Sequence, residues 1–175
     1  MESQTELTND LAQLALQEEH LQFDAFTPDT AWQLGTRLKK AVEAQGEAVA
    51  IDIALTGQPL FFFAMPGTTP DNVDWIRRKK NIVNRFQRSS YALNREEKLS
   101  GGTLMQKSGL DRRDYVAAGG CFPIRVRGAG YVGTITISGL PQRIDHSIIV
   151  DVLAEWLNQP LDKLALHNTT HDPDA

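Results

Sequence analysis

Residues Ala117–Leu153 read AAGGCFPIRVRGAGYVGTITISGLPQRIDHSIIVDVL. Two apolar runs, Cys121–Arg127 and Tyr131–Ser138, are joined by Gly128-Ala129-Gly130, a glycine-containing connection of hairpin length. So short a link makes the pair antiparallel, because a parallel pair needs a crossover of a dozen or more residues. Gly133, inside the second run, marks a bulge or the close approach of another backbone or a flat ligand. Gly139-Leu140-Pro141 then steps into a helix reaching Leu157, with Ile148, Ile149, Val152, Leu153 and Trp156 on its inner face. Pro160 stops that helix.

Upstream lies a second hairpin. In Ala48–Thr56 the large residues Val49, Ile51, Ile53 and Leu55 alternate with Ala48, Ala50, Asp52 and Ala54. One face therefore meets an apolar layer, and the small-residue face admits close approach from the other side. Thr56-Gly57-Gln58-Pro59 turns the chain, and Leu60–Met65 returns. Leu7–Gln22 reads as a helix, and Leu21–Phe26 as a short edge strand. Thr27 caps a helix that starts at Pro28, carries Ala31, Leu34, Leu38, Ala41 and Val42 at helical spacing, and ends at Gly46. Pro70 opens a long helix from about Asp71 to Leu93, and the polar stretch Asn94–Ala118 holds a short helix near Thr103–Lys107. The expected fold is α+β: an antiparallel sheet of about five strands, two hairpins plus an edge strand, flanked by helices. Residues 1–26 form an N-terminal helix and edge strand, 27–158 a single domain, and 159–175 a disordered tail.

Composition sets the outer limits. At 175 residues with a net charge of −4, one globular domain is the default, and no general affinity for nucleic acid is implied. No stretch approaches the roughly 20 apolar residues of a membrane span. The N-terminus carries acids where a secretory signal carries bases, so a cytoplasmic protein is expected. The single cysteine, Cys121, excludes an internal disulfide. Charge is unevenly placed: Met1–Asp29 holds seven acids and no Lys or Arg, whereas Arg77–Arg88 holds six bases and no acid. The basic run is either a solvated helix face or a patch facing an anion or the acidic N-terminus of a second copy. It lacks the aromatic interleaving of a single-strand binder.

Candidate residues follow from the same patterns. On the long helix Trp75, Ile82, Val83, Phe86 and Leu93 form an apolar stripe, with Lys79 and Ser90 near its centre and Ser89 beside it. A lysine in a packed stripe snorkels to water, finds a partner, or points into a pocket or interface. Asp52 sits among alanines on its strand, as a buried acid or as one side of a salt bridge. Gly119-Gly120 supplies turn chemistry and no dinucleotide fingerprint, because strands and not a helix follow it. Cys121 reads as a small buried apolar group. His146, in the first turn of the last helix, is a satisfied boundary histidine or else a ligand or base. His20, His167 and His171 lie in the terminal segments, and no spacing argues for a metal site.

The segments DNVDWIRRKKNIVNRF, RSSY, DYVAAGGCFPIRVRG and VGTITISGLPQRIDHSIIVDVL resemble an uncharacterised family of small bacterial and fungal proteins in the haem-degrading-domain superfamily. Its relatives include the extracellular haem-binding sensor protein, GlcG and the C-terminal domain of a corrinoid adenosyltransferase. The resemblance spans roughly Thr27–Leu157. It implies a five-stranded antiparallel sheet with flanking helices, homo-oligomers, and haem or tetrapyrrole binding by analogy. The relatives' ligating histidines map onto no motif position here. A shared fold is weak warrant for a shared activity. Three readings stay open. The first is a homo-oligomeric small-ligand-binding protein using Lys79, Ser89, Ser90, Asp52, Gly119, Gly120 and His146. The second is an enzyme acting on a haem-like or small anionic substrate, with Lys79, Asp52 and His146 as acid and base groups. The third is an interaction module that displays the acidic N-terminus.

Overall fold

A computed structural model describes residues 2–167; His171 and the rest of the expected tail lie outside them. The chain runs α1 (Gln4–His20), α2 (Pro28–Glu43), β1 (Ala50–Leu55), β2 (Gln58–Ala64), α3 (Pro70–Phe86), α4 (Ser90–Ser100), α5 (Leu104–Ser108), β3 (Cys121–Val126), β4 (Gly130–Ser138), α6 (Gln142–Trp156) and α7 (Leu161–Leu164). The strands form one antiparallel sheet in the order β2-β1-β4-β3.

The alternation read in β1 decides what covers each face. Ile51, Ile53, Ile135, Ile137, Phe122 and Ile124 pack with Leu34, Leu38 and Val42 of α2 and Ile149 and Leu153 of α6 to make the main core. Each such side chain contributes about 1.5–3 kcal/mol through burial. The opposite face is small and polar. Asp52, Thr136 and Cys121 lie side by side across β1, β4 and β3, with Thr134 and Ser138 along β4. Helix α3 covers this face and packs Ile82 and Val83 over Cys121. Small side chains let the helix sit low, and their polar atoms meet it.

The sheet has four strands, not about five. In Leu21–Phe26 only Phe23 pairs, by a single parallel bridge to Val126. Its N–H donates to Arg125 O and its carbonyl accepts from Arg127 N–H, both at 2.9 Å. Leu21 and Phe23 are buried anchors, but Thr27 caps α2 and Pro28 begins it before a second rung forms. The long helix is also interrupted. Helix α3 stops at Phe86, Gln87 takes a left-handed φ of 55°, and the Ser89 side chain caps α4. Ser90 and Leu93 therefore belong to α4. Within the segment expected to be disordered, Leu161–Leu164 makes a helical turn with Leu164 buried. Gly133 behaves as its position implies: the β3–β4 register shifts between Ile124 and Arg125 beside it, and a bulge forms.

Candidate functional site

The β4–α6 junction and the first half of α3 enclose a cleft of about 420 Å³. Asn72, Trp75 and Lys79 line it from α3, Ser138–Pro141 from the turn, Gln142 and Asp145 from α6, and Ala118 from the loop before β3. Thr69 and Pro70 start α3 at the cleft mouth, where Asn72 Oδ1 accepts the Thr69 N–H at 2.9 Å. The Trp75 indole N–H donates to Asp71 at 3.2 Å, and the Arg78 guanidinium stacks 4.3 Å from its ring. The indole is thereby held as a fixed wall.

The floor is an ion pair. Lys79 Nζ lies 3.1 Å from Asp145 Oδ2 and donates at 3.1 Å to Ile137 O. Both residues are almost fully buried, at 3% and 1% exposed. These contacts engage two of the three ammonium donors. The other carboxylate oxygen of Asp145 accepts the Leu140 N–H at 3.2 Å and fixes the turn into α6. Burial pushes the Asp145 carboxyl up to about 6, against the opposing pull of Lys79. Gly120 makes the approach feasible. Its φ of +113° is glycine territory, and a Cβ there would stand 2.7 Å from Lys79 Nζ.

The other sequence candidates scatter. Gly119 donates its N–H to Gln142 Oε1 at 3.0 Å and ties the pre-β3 loop to the cleft rim. Asp52 lies under the next residue of α3, with Lys80 Nζ 2.7 Å from its Oδ1; burial raises its pKa and Lys80 opposes. That pair faces a separate hollow beside Phe62 and Val73. Ser89 caps α4, and its N–H donates to Glu18. The Ser90 hydroxyl accepts the Cys121 N–H at 3.0 Å and donates to Cys121 O at 3.3 Å. Neither serine lines the cleft. His146 points away from it, wholly buried between the Tyr91 and Phe122 rings, with Nε2 2.8 Å from Gln17 Oε1. Burial, reinforced by Arg143 and Arg95, lowers its pKa to about 3, so it stays neutral. Lys79, Asp52 and His146 thus do not converge on one reacting centre.

Much of the basic run and part of the acidic N-terminus pair within the chain. Arg77 and Arg78 pair with Asp74, Lys80 with Asp52, and Arg88 with Glu96. On the acidic side, Glu2 pairs with Arg95 and Lys98, and Asp10 with Arg143 at 2.8 Å. Cys121 is buried, its thiol pushed up to about 12 by desolvation. No cluster of metal-ligating side chains occurs among the described residues, and no helix there is long and apolar enough to cross a membrane.

Asp145 is not among the residues the sequence singles out, although it directly precedes His146. Helical neighbours point about 100° apart, and here they serve different sides of α6. The usable signal was a lone lysine in an apolar stripe, which demands a buried acid somewhere. Trp75, which its spacing assigns to the apolar stripe, forms the cleft wall.

A family model described as haem degrading protein HbpS-like matches residues 26–154. A UPF0303 protein of Azotobacter vinelandii is 51% identical over 162 residues, covering 93% of this chain and 98% of its own. The crystal structure of Ybr137w protein superposes with a TM-score of 0.78 at 33% identity, covering 85% of this chain and 87% of that one. A PduOC:heme complex shares the fold, with a TM-score of 0.63 at 18% identity over 74% of this chain and 94% of that one. The family match begins after α1, so the Asp10–Arg143 and Gln17–His146 contacts join the matched region to a helix outside it.

Proposed function

This chain belongs to the HbpS-like family of haem degrading proteins, and on that premise we propose that it is a cytoplasmic, homo-oligomeric protein that binds a small ligand in the α3–α6 cleft. The carrying observation is the Lys79–Asp145 pair. A charged pair is held at the floor of a cleft, beside an indole wall and a flat glycine-containing turn, and one ammonium donor is unspent. A site of some hundreds of Å³ whose lining divides almost evenly between polar and apolar residues suits a compact organic ligand that carries polar groups of its own. Trp75 and Leu140-Pro141 supply flat apolar contact, while Lys79, Asn72 and Gln142 supply polar recognition. The ligand class is a flat conjugated molecule bearing an acidic group, within which tetrapyrroles fall.

Haem held through its iron does not fit. The cleft lining offers no imidazole, thiol or thioether. His146, the histidine of the domain's interior, is wholly buried and bonded to Gln17 on the other side of α6. A tetrapyrrole would therefore be gripped by its ring face and acid side chains, with no iron ligand from the cleft lining.

Titration of the purified protein tests this, with metal-free protoporphyrin, haemin, a flavin and a corrinoid as probes and tryptophan quenching and ligand absorbance as readouts. Saturable binding of at least one is expected, weakened roughly tenfold or more by Trp75→Ala through the loss of about 1.5–3 kcal/mol of apolar contact. Haemin is expected to show no low-spin, nitrogen-ligated Soret band. Absence of saturable binding by every probe, or binding indifferent to Trp75→Ala, overturns the reading.

A further inference from the structure

We propose that the outer edge of β2 pairs antiparallel with β2 of a second copy, joining two four-stranded sheets across a two-fold axis. The proposal rests on the oligomeric part of the reading above and not on the cleft. The two ends of the sheet are treated differently. At the β3 end, Phe23 lies alongside and bonds to Arg125 and Arg127. At the β2 end, no described segment pairs with the strand. The Met65 N–H donates inward to Val49 O at 3.1 Å. By the antiparallel alternation, Phe63 takes the next inward position, and Phe62 and Ala64 turn their N–H and C=O groups outward.

Edges that remain bare in solution carry lysines, inward charges or bulges that discourage pairing. This one has a bulge at Leu60, in its first half, and no charge. Gln58–Gly67 reads QPLFFFAMPG without a charged side chain, and Pro59 blunts only its first residues. A two-fold axis sets the strand against itself, so an uncharged strand meets no like charge in the partner.

Exposure on both faces selects a second copy over a lone peptide. Trp32, 65% exposed, lies on the α2 side, with its ring 5.9 Å from Phe61. Phe62 and Val73, 47% and 44% exposed, lie on the α3 side. There a groove of about 550 Å³ runs between Ala64 and Val73 and continues into the hollow over Asp52 and Lys80. A single added strand offers the two faces only its own alternating side chains. A second sheet arrives with its own α2 and α3 and covers both faces at once.

Sedimentation velocity of the full chain tests this, comparing wild type with Phe62→Lys, Ala64→Pro and, as a distant exposed control, Leu161→Lys. Wild type and the control are expected to sediment as a dimer or a larger even-numbered assembly. Both edge variants are expected to fall to half that mass with an unchanged circular dichroism spectrum. Hydrogen exchange on wild type alone supplies a check that needs no variant: the Phe62 and Ala64 amides should be protected and should lose protection on dilution. An assembly that survives both edge changes with those amides unprotected keeps the oligomeric reading and overturns this interface. A wild-type monomer overturns both, whereas protection of Phe62 that appears only when a foreign extended peptide is added overturns this interface.

Discussion

Replacing Lys79 by Met tests the cleft floor, because the cost should depend on pH in a defined direction. The Asp145 carboxyl is raised from 3.8 to about 6 in the folded chain. The unfolded chain therefore gives up its proton first as pH rises. Stability from this group is fully present below pH 3.8 and lost as pH climbs through about 6. The gap is about two pH units, or roughly 3 kcal/mol, already surrendered by wild type at neutral pH. In Lys79→Met the ammonium no longer opposes desolvation, the folded carboxyl rises further, and the loss continues at about 1.4 kcal/mol per pH unit above 6. At pH 5 the carboxyl is mostly protonated in the folded state, and the variant forfeits only the hydrogen bonds of Lys79 to Ile137 O and to the neutral carboxyl, about 1–2 kcal/mol. At pH 8 it carries an uncompensated buried charge, and the difference should reach about 3–5 kcal/mol. Urea midpoints at the two pH values, read by tryptophan fluorescence, measure this directly. Equal destabilisation at pH 5 and pH 8 would refute the reasoning, since the carboxylate would then be hydrated in solution.

Two further outcomes follow from buried groups away from the cleft. His146 is depressed from 6.5 to about 3, so its contribution is fully present above pH 6.5 and drains as pH falls toward 3, by an amount on the order of 4–5 kcal/mol. His146→Phe should flatten that acid limb while costing about 1–3 kcal/mol at pH 7 through the stranded Gln17 amide, and urea midpoints from pH 7 to pH 4 will show it. The Cys121 thiol, buried and raised to about 12, should resist an aromatic disulfide reagent for hours in native buffer and react once per chain in urea. Rapid native labelling would place the thiol at the surface.

Most of the sheet was legible because local signals agreed with the tertiary outcome. Gly128-Ala129-Gly130 and Gly57-Gln58-Pro59 mark the turns of both hairpins, and the Ile–Ala alternation of β1 assigns one face to the core and the other to α3. Failures occurred where a local pattern was compatible with two outcomes. Leu21 and Phe23 alternate as a strand does, yet two buried anchors and one bridge use the same alternation, and a helix cap four residues after Phe23 ends it. The α3–α4 break contains neither glycine nor proline; Gln87 accepts a left-handed conformation, and the usable mark was Ser89 as an N-cap. The cleft was half legible. Lys79 announced an unmet charge, but its acid lies 66 residues away, and no periodicity relates the two.

Adjacent lysines on α3 show why that pair calls for a functional reading. Lys79 and Lys80 diverge around the helix, and each meets an acid beneath it, Asp145 for one and Asp52 for the other. Stability alone is a poor reason for either arrangement, because well-packed apolar residues of the same volume often stabilise a fold as well or better. The two differ in what lies beside them. Asp52 and Lys80 sit under the hollow that continues the apolar β2 groove, where a docked sheet would seal them from water. Lys79 and Asp145 sit at the bottom of a cleft walled by Trp75 and the Gly139–Pro141 turn, where an incoming acid can take the unspent donor without dismantling the pair. One helix face thus divides its cations between an assembly surface and a ligand site. Sedimentation with Phe62→Lys and ligand titration with Trp75→Ala should therefore respond independently: the edge variant keeps ligand affinity, and the cleft variant keeps the assembly mass.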